Sequence, residues 1–157
     1  DYTGTIEVIK NAIEELKIIG IEAEYICCLY PTAPFITTEL INQASQKIRD
    51  CGDNYLLTAA RYDYPIQRAL RKKTETTYEM IDTSYQTKRS QDIEERFHDA
   101  GQMYWARSDT WMTKEDIFEN ASLLILPTWR VQDIDTEEDW LNAELKLELL
   151  IKRGMHE

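Results

Sequence analysis

Apolar residues recur at the helical period between Thr5 and Ile19, at Ile6, Ile9, Ala12, Ile13 and Leu16, and the pattern stops at Gly20. This predicts an amphipathic helix with one inward face. The run EYICCLYP is too short for a helix and closes on Pro31, so it reads as a buried strand. The PTAPF that follows predicts a loop at that strand's carboxyl end. From Thr37 to Arg49 the helical period returns, with Thr37 or Thr38 able to cap it, and Gly52 separates it from a second apolar run, YLLTAARY.

Strand, helix and strand in that order predict a right-handed crossover in a parallel sheet, and such sheets bind ligands outside the carboxyl ends of their strands. Short β-prone pieces such as TTYEMI lie between Arg61 and Arg89. AGQMYWAR then predicts a strand, SDTWMTKEDIFEN a short helix and turn, and ASLLILPTW another buried strand. Glu137 to Lys152 predicts a last helix with apolar positions at Trp140, Leu141, Leu145, Leu147 and Leu149 to Ile151. Without repeats or linkers, the expectation is one α/β domain over residues 1–157.

Composition narrows the function. With 43% hydrophobic and 30% charged residues in 157, the chain is apolar enough to fold. No uncharged apolar run approaches the roughly 18 residues of a membrane span, and DYTGTIEVIK lacks the basic and apolar regions of a signal peptide. A cytoplasmic protein without a membrane partner is expected. A net charge of -11 has the wrong sign for a nucleic-acid partner. The three cysteines, Cys27, Cys28 and Cys51, have no metal-ligand spacing and are expected to be reduced, with Cys27 and Cys28 facing opposite sides of their strand. Arg61 to Arg89 reverses the sign locally, with seven basic against four acidic residues. That segment reads either as a solvated face or as a site for an anion.

The densest chemistry lies in VQDIDTEEDW, residues 131–140. On extended backbone Asp133 and Asp135 project from one face and can converge on a cation, while Ile134 points to the core. Magnesium commonly takes one or two protein carboxylates and completes its octahedron with water and phosphate oxygens. The same residues also suit a helix start, with Asp135 or Thr136 as cap and Glu138 or Asp139 three positions on. The spacing leaves both readings open. His98 beside Asp99 has the residue types of an acid-base pair, but neighbours on a strand face apart.

Five stretches in order, DYTGTIEVI, CCLYPTAPFITT, YPIQRAL, RSQDIEERFHDAGQMYWA and VQDIDTEEDW, resemble the nonulosonic acid cytidylyltransferases, and HDAGQMYW resembles the branch acting on pseudaminic acid. The resemblance implies a three-layer, Rossmann-like, mostly parallel sheet with a β-rich dimerisation insertion within 61–105. It implies Mg2+-dependent transfer of CMP from CTP to an acidic nine-carbon sugar, in a homodimer. Asp133 and Asp135 match the family's metal-binding aspartates. Arg89, in the RSQD motif, is the implied anion contact, with Gln67, Arg68, Lys88 and Gln91 as further candidates. Tyr30, Tyr104 and Phe118 are implied at the sugar, and Thr3 and Thr5 near the cytosine.

The family's Arg-x-Gly-Ser-Lys phosphate loop has no counterpart in this sequence. The resemblance starts inside the family's domain, so the chain alone is expected to bind CTP poorly and turn over little. Two other readings stand beside transfer: a non-catalytic, dimerising sugar-binding module, and a metal-dependent phosphohydrolase suggested by Asp-x-Asp alone.

Overall fold

A computed structural model describes residues 4–155. The first helix, α1 (Thr5–Ile18), turns Ile6 and Ile13 inward, and the chain leaves it through Gly20 at φ 79°. Strand β1 (Tyr25–Leu29) leads through the proline loop to α2 (Thr38–Lys47), capped by Thr37, whose side chain accepts the Leu40 N–H. β2 (Leu56–Arg61), a small hairpin of β3 (Leu70–Lys72) and β4 (Tyr78–Met80), and the long β5 (Phe97–Arg107) follow. The chain closes with α3 (Ser108–Thr113), β6 (Ser122–Leu126) and α4 (Glu137–Arg153).

The main sheet has the order β1-β5-β2-β6. β2 pairs parallel to β6, whereas β5 runs antiparallel to both β1 and β2. Three of the four strands therefore run one way, as expected, but β1 and β2 are not neighbours. The α2 crossover spans one strand position, and β5 fills it. Local periodicity does not encode which strand lies beside which.

Alternation along the strands sorts the core into two layers. Leu57 and Tyr104 face α1 and α3 with Tyr55 and Trp111, while Leu56 and Met103 face α2 with Ala44 and Ile48. Trp111 is fully buried, stacks edge-on against Tyr55 at 4.9 Å and donates its Nε1–H to the Ile26 carbonyl at 3.3 Å. Cys28 packs with the first layer and Cys27 with the second, so the neighbours do face apart. All three cysteines are free, and burial pushes the Cys27 thiol up to about 12. A thiol held protonated in this way does not suit a reactive role.

α4 departs from its predicted face. Trp140, Leu141, Leu145, Leu147, Leu149 and Ile151 are exposed; Ala143 and Leu150 are its buried residues and pack with Phe35, Trp129 and Ile134. Its buried apolar residues meet that narrow cluster, which covers a stripe rather than a broad face. Among the described residues no helix is long and apolar enough to cross a membrane.

Candidate functional site

β5 carries an irregularity that shapes the site. Its pairing with β2 runs Leu57 to Tyr104 and then Ala59 to Asp99, so Thr58 alone opposes Ala100 to Met103. Thr58 Oγ1 accepts the Met103 N–H at 3.2 Å, and the Asp99 carboxylate accepts the Gly101 N–H at 3.1 Å. Gly101 sits at φ 64°, a conformation that L side chains adopt at a cost. Bulges re-aim backbone and side chains near functional sites. Here the fully buried Gln102 donates its Nε2–H to the Arg130 carbonyl at 3.0 Å, tying the bulge to the turn before the acidic junction.

That turn (Thr128–Arg130) follows Pro127 at the carboxyl end of β6 and delivers Val131 to Asp135 along the same edge of the sheet. Ile134 packs against the Phe35 cluster, while Asp133 and Asp135 on either side of it are exposed. Asp133 Oδ1 accepts the Ile134 N–H at 3.1 Å and lies 3.5 Å from Thr32 Oγ1 in the proline loop. A Cβ on Gly101 would stand 3.2 Å from Asp133 Oδ2. The loop after β1, the bulge of β5 and the acidic junction thus converge on one carboxylate. Gly101→Ala is expected to cost about 1 kcal/mol from the left-handed backbone and to displace Asp133; urea unfolding of the variant checks the first and its crystal structure the second.

The helix-start reading is also realised. Thr136 accepts the Asp139 N–H at 3.2 Å, and Asp139 accepts the Thr136 N–H at 2.9 Å, a reciprocal capping box. The Thr136 hydroxyl, and then the Asp135 amide, hold the Asp139 carboxyl below its ordinary value. A depressed folded-state value means the carboxylate stabilises the fold at neutral pH, and this contribution is lost as pH falls through that lowered value. Thr136→Ala is expected to cost about 1 kcal/mol, with the deficit shrinking at acid pH; urea melts at two pH values test both parts.

On the other side of the bulge, Tyr104 donates to Asp99 Oδ2 at 2.5 Å and its ring lies 5.2 Å from that of Tyr30, whose hydroxyl in turn contacts Thr5 Oγ1. Burial, then the bond to Asp99, pushes the Tyr104 phenol well above its ordinary range, so it stays a neutral donor. Thr5 and Phe118 line one shallow cleft of about 300 Å³, with Phe118 exposed at 60%. The structure therefore links Thr5, Tyr30 and Tyr104 through Asp99 to the bulge beside Asp133. Sequence reasoning missed Asp99 as the link; its signal was a hydrogen-bonding residue two before a glycine. Thr3 lies outside the described residues.

The basic segment is largely self-compensated. Arg71 and Lys73 pair with Glu79, Lys72 with Glu75, and Arg61 with Glu95. Arg68 braces the loop around Arg89 through the carbonyls of Tyr85 and Lys88 and the Ser90 hydroxyl. Lys88 lies over the Tyr85 ring at 4.3 Å, and Gln67 donates to the Glu94 carbonyl at 2.9 Å. Arg89 is exposed at the start of the turn Ser90–Asp92, and Gln91 lines a cleft of about 320 Å³ with Tyr62, Asp63 and Tyr64. His98 is turned to its own side: its Nδ1 is 2.8 Å from the Asp99 carbonyl and its ring stacks on Tyr62, while the Asp99 carboxylate serves Tyr104.

Among the described residues no cluster of three or more His, Cys, Asp or Glu side chains could enclose a metal ion. The donor set at Asp133 and Asp135 fits Mg2+, which asks the protein for one or two carboxylates and takes other oxygens from water and phosphate. The missing side chain of Gly101 lets the Asp133 carboxylate itself lie close over the bulge, where a Cβ would meet its Oδ2 at 3.2 Å.

Comparison with protein-family models gives no match. The chain is 36% identical over 140 residues to a pseudaminic acid cytidylyltransferase of Campylobacter jejuni serotype O:2, covering 88% of this chain and 60% of that protein. The corresponding protein of serotype O:23/36 is 35% identical over the same shares. A solved structure of CMP:2-keto-3-deoxy-manno-octonic acid synthetase complexed with CTP superposes with a TM-score of 0.59 at 12% identity, covering 94% of this chain and 70% of that one. The fold is shared with that synthetase. The chain is thus related by sequence to the pseudaminic acid cytidylyltransferases, over 88% of its own length and 60% of theirs.

Proposed function

We propose that the protein to which these residues belong transfers CMP from CTP to an acidic nine-carbon sugar, pseudaminic acid, with Mg2+. The observation that carries this reading is the placement of Asp133 at the carboxyl edge of the sheet, exposed, 3.5 Å from Thr32 and against Gly101. That is where α/β sheets take their ligands.

In the transfer, the sugar's anomeric oxygen forms a bond to the α-phosphorus while the bond from that phosphorus to the bridging oxygen breaks. Pyrophosphate leaves with the electron pair, and the hydroxyl proton passes to solvent. Asp133 and Asp135 would hold the Mg2+, which when bound neutralises charge on the triphosphate and on the departing pyrophosphate. Tyr30, backed by the buried Tyr104 that Asp99 fixes, presents an aromatic wall to the sugar, with Phe118 as an apolar contact beside Thr5. The resemblance assigns contact with the cytosine to Thr5 and Thr3. Arg89 supplies the cation for the sugar carboxylate, helped by Lys88 and Gln91; Arg68 and Gln67 hold the surrounding loops, and Arg68 in particular braces the one that carries Arg89. We further propose a homodimer in which the β3–β4 hairpin takes part, and a cytoplasmic setting.

These 157 residues include no Arg-x-Gly-Ser-Lys sequence to supply the backbone donors and lysine that cradle a triphosphate. That observation favours, for the isolated chain, the second reading of a dimerising sugar-binding module. Assay of the chain with CTP, Mg2+ and pseudaminic acid is expected to give little pyrophosphate. Robust release by the chain alone would contradict the need for a phosphate loop; hydrolysis of phosphate esters without CTP would contradict the transfer reading itself.

A further inference from the structure

α4 breaks its own pattern at one position. Ala143 and Leu150 are its buried residues, and Lys146 stands between them on the same stripe. An apolar side chain there would pack against the Phe35 cluster. Lys146 is instead half-buried, with Nζ donating to the Val131 carbonyl at 2.7 Å and to Gln132 Oε1 at 2.8 Å. An ammonium taken from water needs acceptors, and both lie on the segment that leads into Asp133.

The bonds continue beyond Gln132. Its Nε2 donates to the Asp133 carbonyl at 2.9 Å and lies 3.4 Å from Asp139 Oδ1. Asp139 Oδ2 accepts the Asp135 N–H at 3.2 Å and the Thr136 N–H at 2.9 Å. Residues 131–135 belong to no strand, so no ladder fixes their backbone. A single ammonium on α4 thus begins a network that reaches the main chain of both exposed aspartates.

We infer that Lys146 is a positioning residue that, through Gln132 and Asp139, holds Asp133 and Asp135 in the arrangement that takes a divalent cation. This rests on the metal reading above and goes beyond it, since Lys146 touches neither carboxylate. The other charged or titratable groups around the same small cavity are Arg61, Asp63 and His98. Arg61 is paired with Glu95, which leaves Lys146 as the cation on this backbone.

Lys146→Met keeps the length and removes the donors, and Gln132→Leu cuts the network one step later while leaving the ammonium in place with its bond to the Val131 carbonyl. A methionine on a core-facing stripe is expected to leave the unfolding midpoint unchanged or raised. Hydrogen exchange at the Ile134, Asp135 and Thr136 amides is expected to quicken about tenfold in both variants, and Mn2+ affinity to fall about 10- to 100-fold. A merely structural lysine would lower the midpoint and leave those amides in step with the rest of the chain, and that result overturns the inference. Asp133→Asn is the control that separates the two readings. If it leaves Mn2+ binding intact, or if the unaltered chain binds none, the metal reading fails. If it abolishes binding while Lys146→Met does not weaken it, the role of Lys146 alone is overturned.

Discussion

Asparagine in place of Asp133, in the full-length protein, is expected to slow CMP transfer by about 100-fold or more, because a lost Lewis-acid contact of about 3 kcal/mol corresponds to that factor. The substitution is nearly isosteric. Asparagine keeps an oxygen for the Ile134 N–H, so the fold at the junction should survive, and unfolding should show little change. What disappears is the formal charge beside Thr32 and Gly101. The loss should fall mainly on kcat at saturating Mg2+, with an increased Mg2+ requirement, since charge on the leaving pyrophosphate develops in the transition state. Asp135→Asn should act in the same direction. Its backbone N–H already serves the capping box, so its side chain is free for this role. Steady-state kinetics across Mg2+ concentration checks both. Unchanged kcat in Asp133→Asn would remove the reason for reading this edge as the reacting site.

The largest stability effect is expected at Trp111→Ala, at about 3–5 kcal/mol for emptying a buried tryptophan site. Trp111 is fully buried and joins α3 to both α1 and the sheet. Truncation opens a cavity against Tyr55 and also withdraws the donor from the Ile26 carbonyl, adding about 1 kcal/mol for an acceptor left short of a partner. Because Tyr30 directly follows β1, loosening Ile26 should also loosen the aromatic wall of the site. Urea unfolding followed by fluorescence of the remaining tryptophans, Trp105, Trp129 and Trp140, measures the cost. A loss under about 1 kcal/mol would mean that the layer between α1 and the sheet carries less of the stability than its burial implies.

Much of this fold was legible because its elements are set by local pattern. α1, α2 and β6 follow period and punctuation, and Thr37 and Gly20 mark their ends as expected. What periodicity could not supply was adjacency. β5 lies between β1 and β2 because an 11-residue antiparallel strand can pair on both sides, and nothing in EYICCLYP or YLLTAARY names that neighbour. The exposed apolar residues of α4 misled in a similar way, since their spacing indicates a face but not what stands opposite it.

The site was half legible. Asp133 and Asp135 stand out by spacing, and the cap and the exposed carboxylates coexist because Asp139, rather than Asp135, closes the capping box. The bulge at Asp99 to Gln102 was not legible: its glycine marks a special backbone, but the link between Tyr104 and Asp133 exists only once β5 is paired with β2. Lys146 was hidden for a further reason. In sequence it is one of several charges on a helix, and only the position of α4 shows that it points to the junction. The basic segment carried a real signal that the structure divides: Arg71, Lys72 and Lys73 meet acidic partners within the hairpin, whereas Arg89 stays exposed.

Anomalous diffraction from crystals of the protein grown with CTP and Mn2+ tests the central claim most directly. The account predicts a Mn2+ peak about 2.1 Å from a carboxylate oxygen of Asp133, an octahedral distance for this class of ion, with triphosphate oxygens on its far side and Asp135 in its coordination or hydration shell. A peak held by the triphosphate but far from Asp133, in crystals whose protein is active, would contradict it.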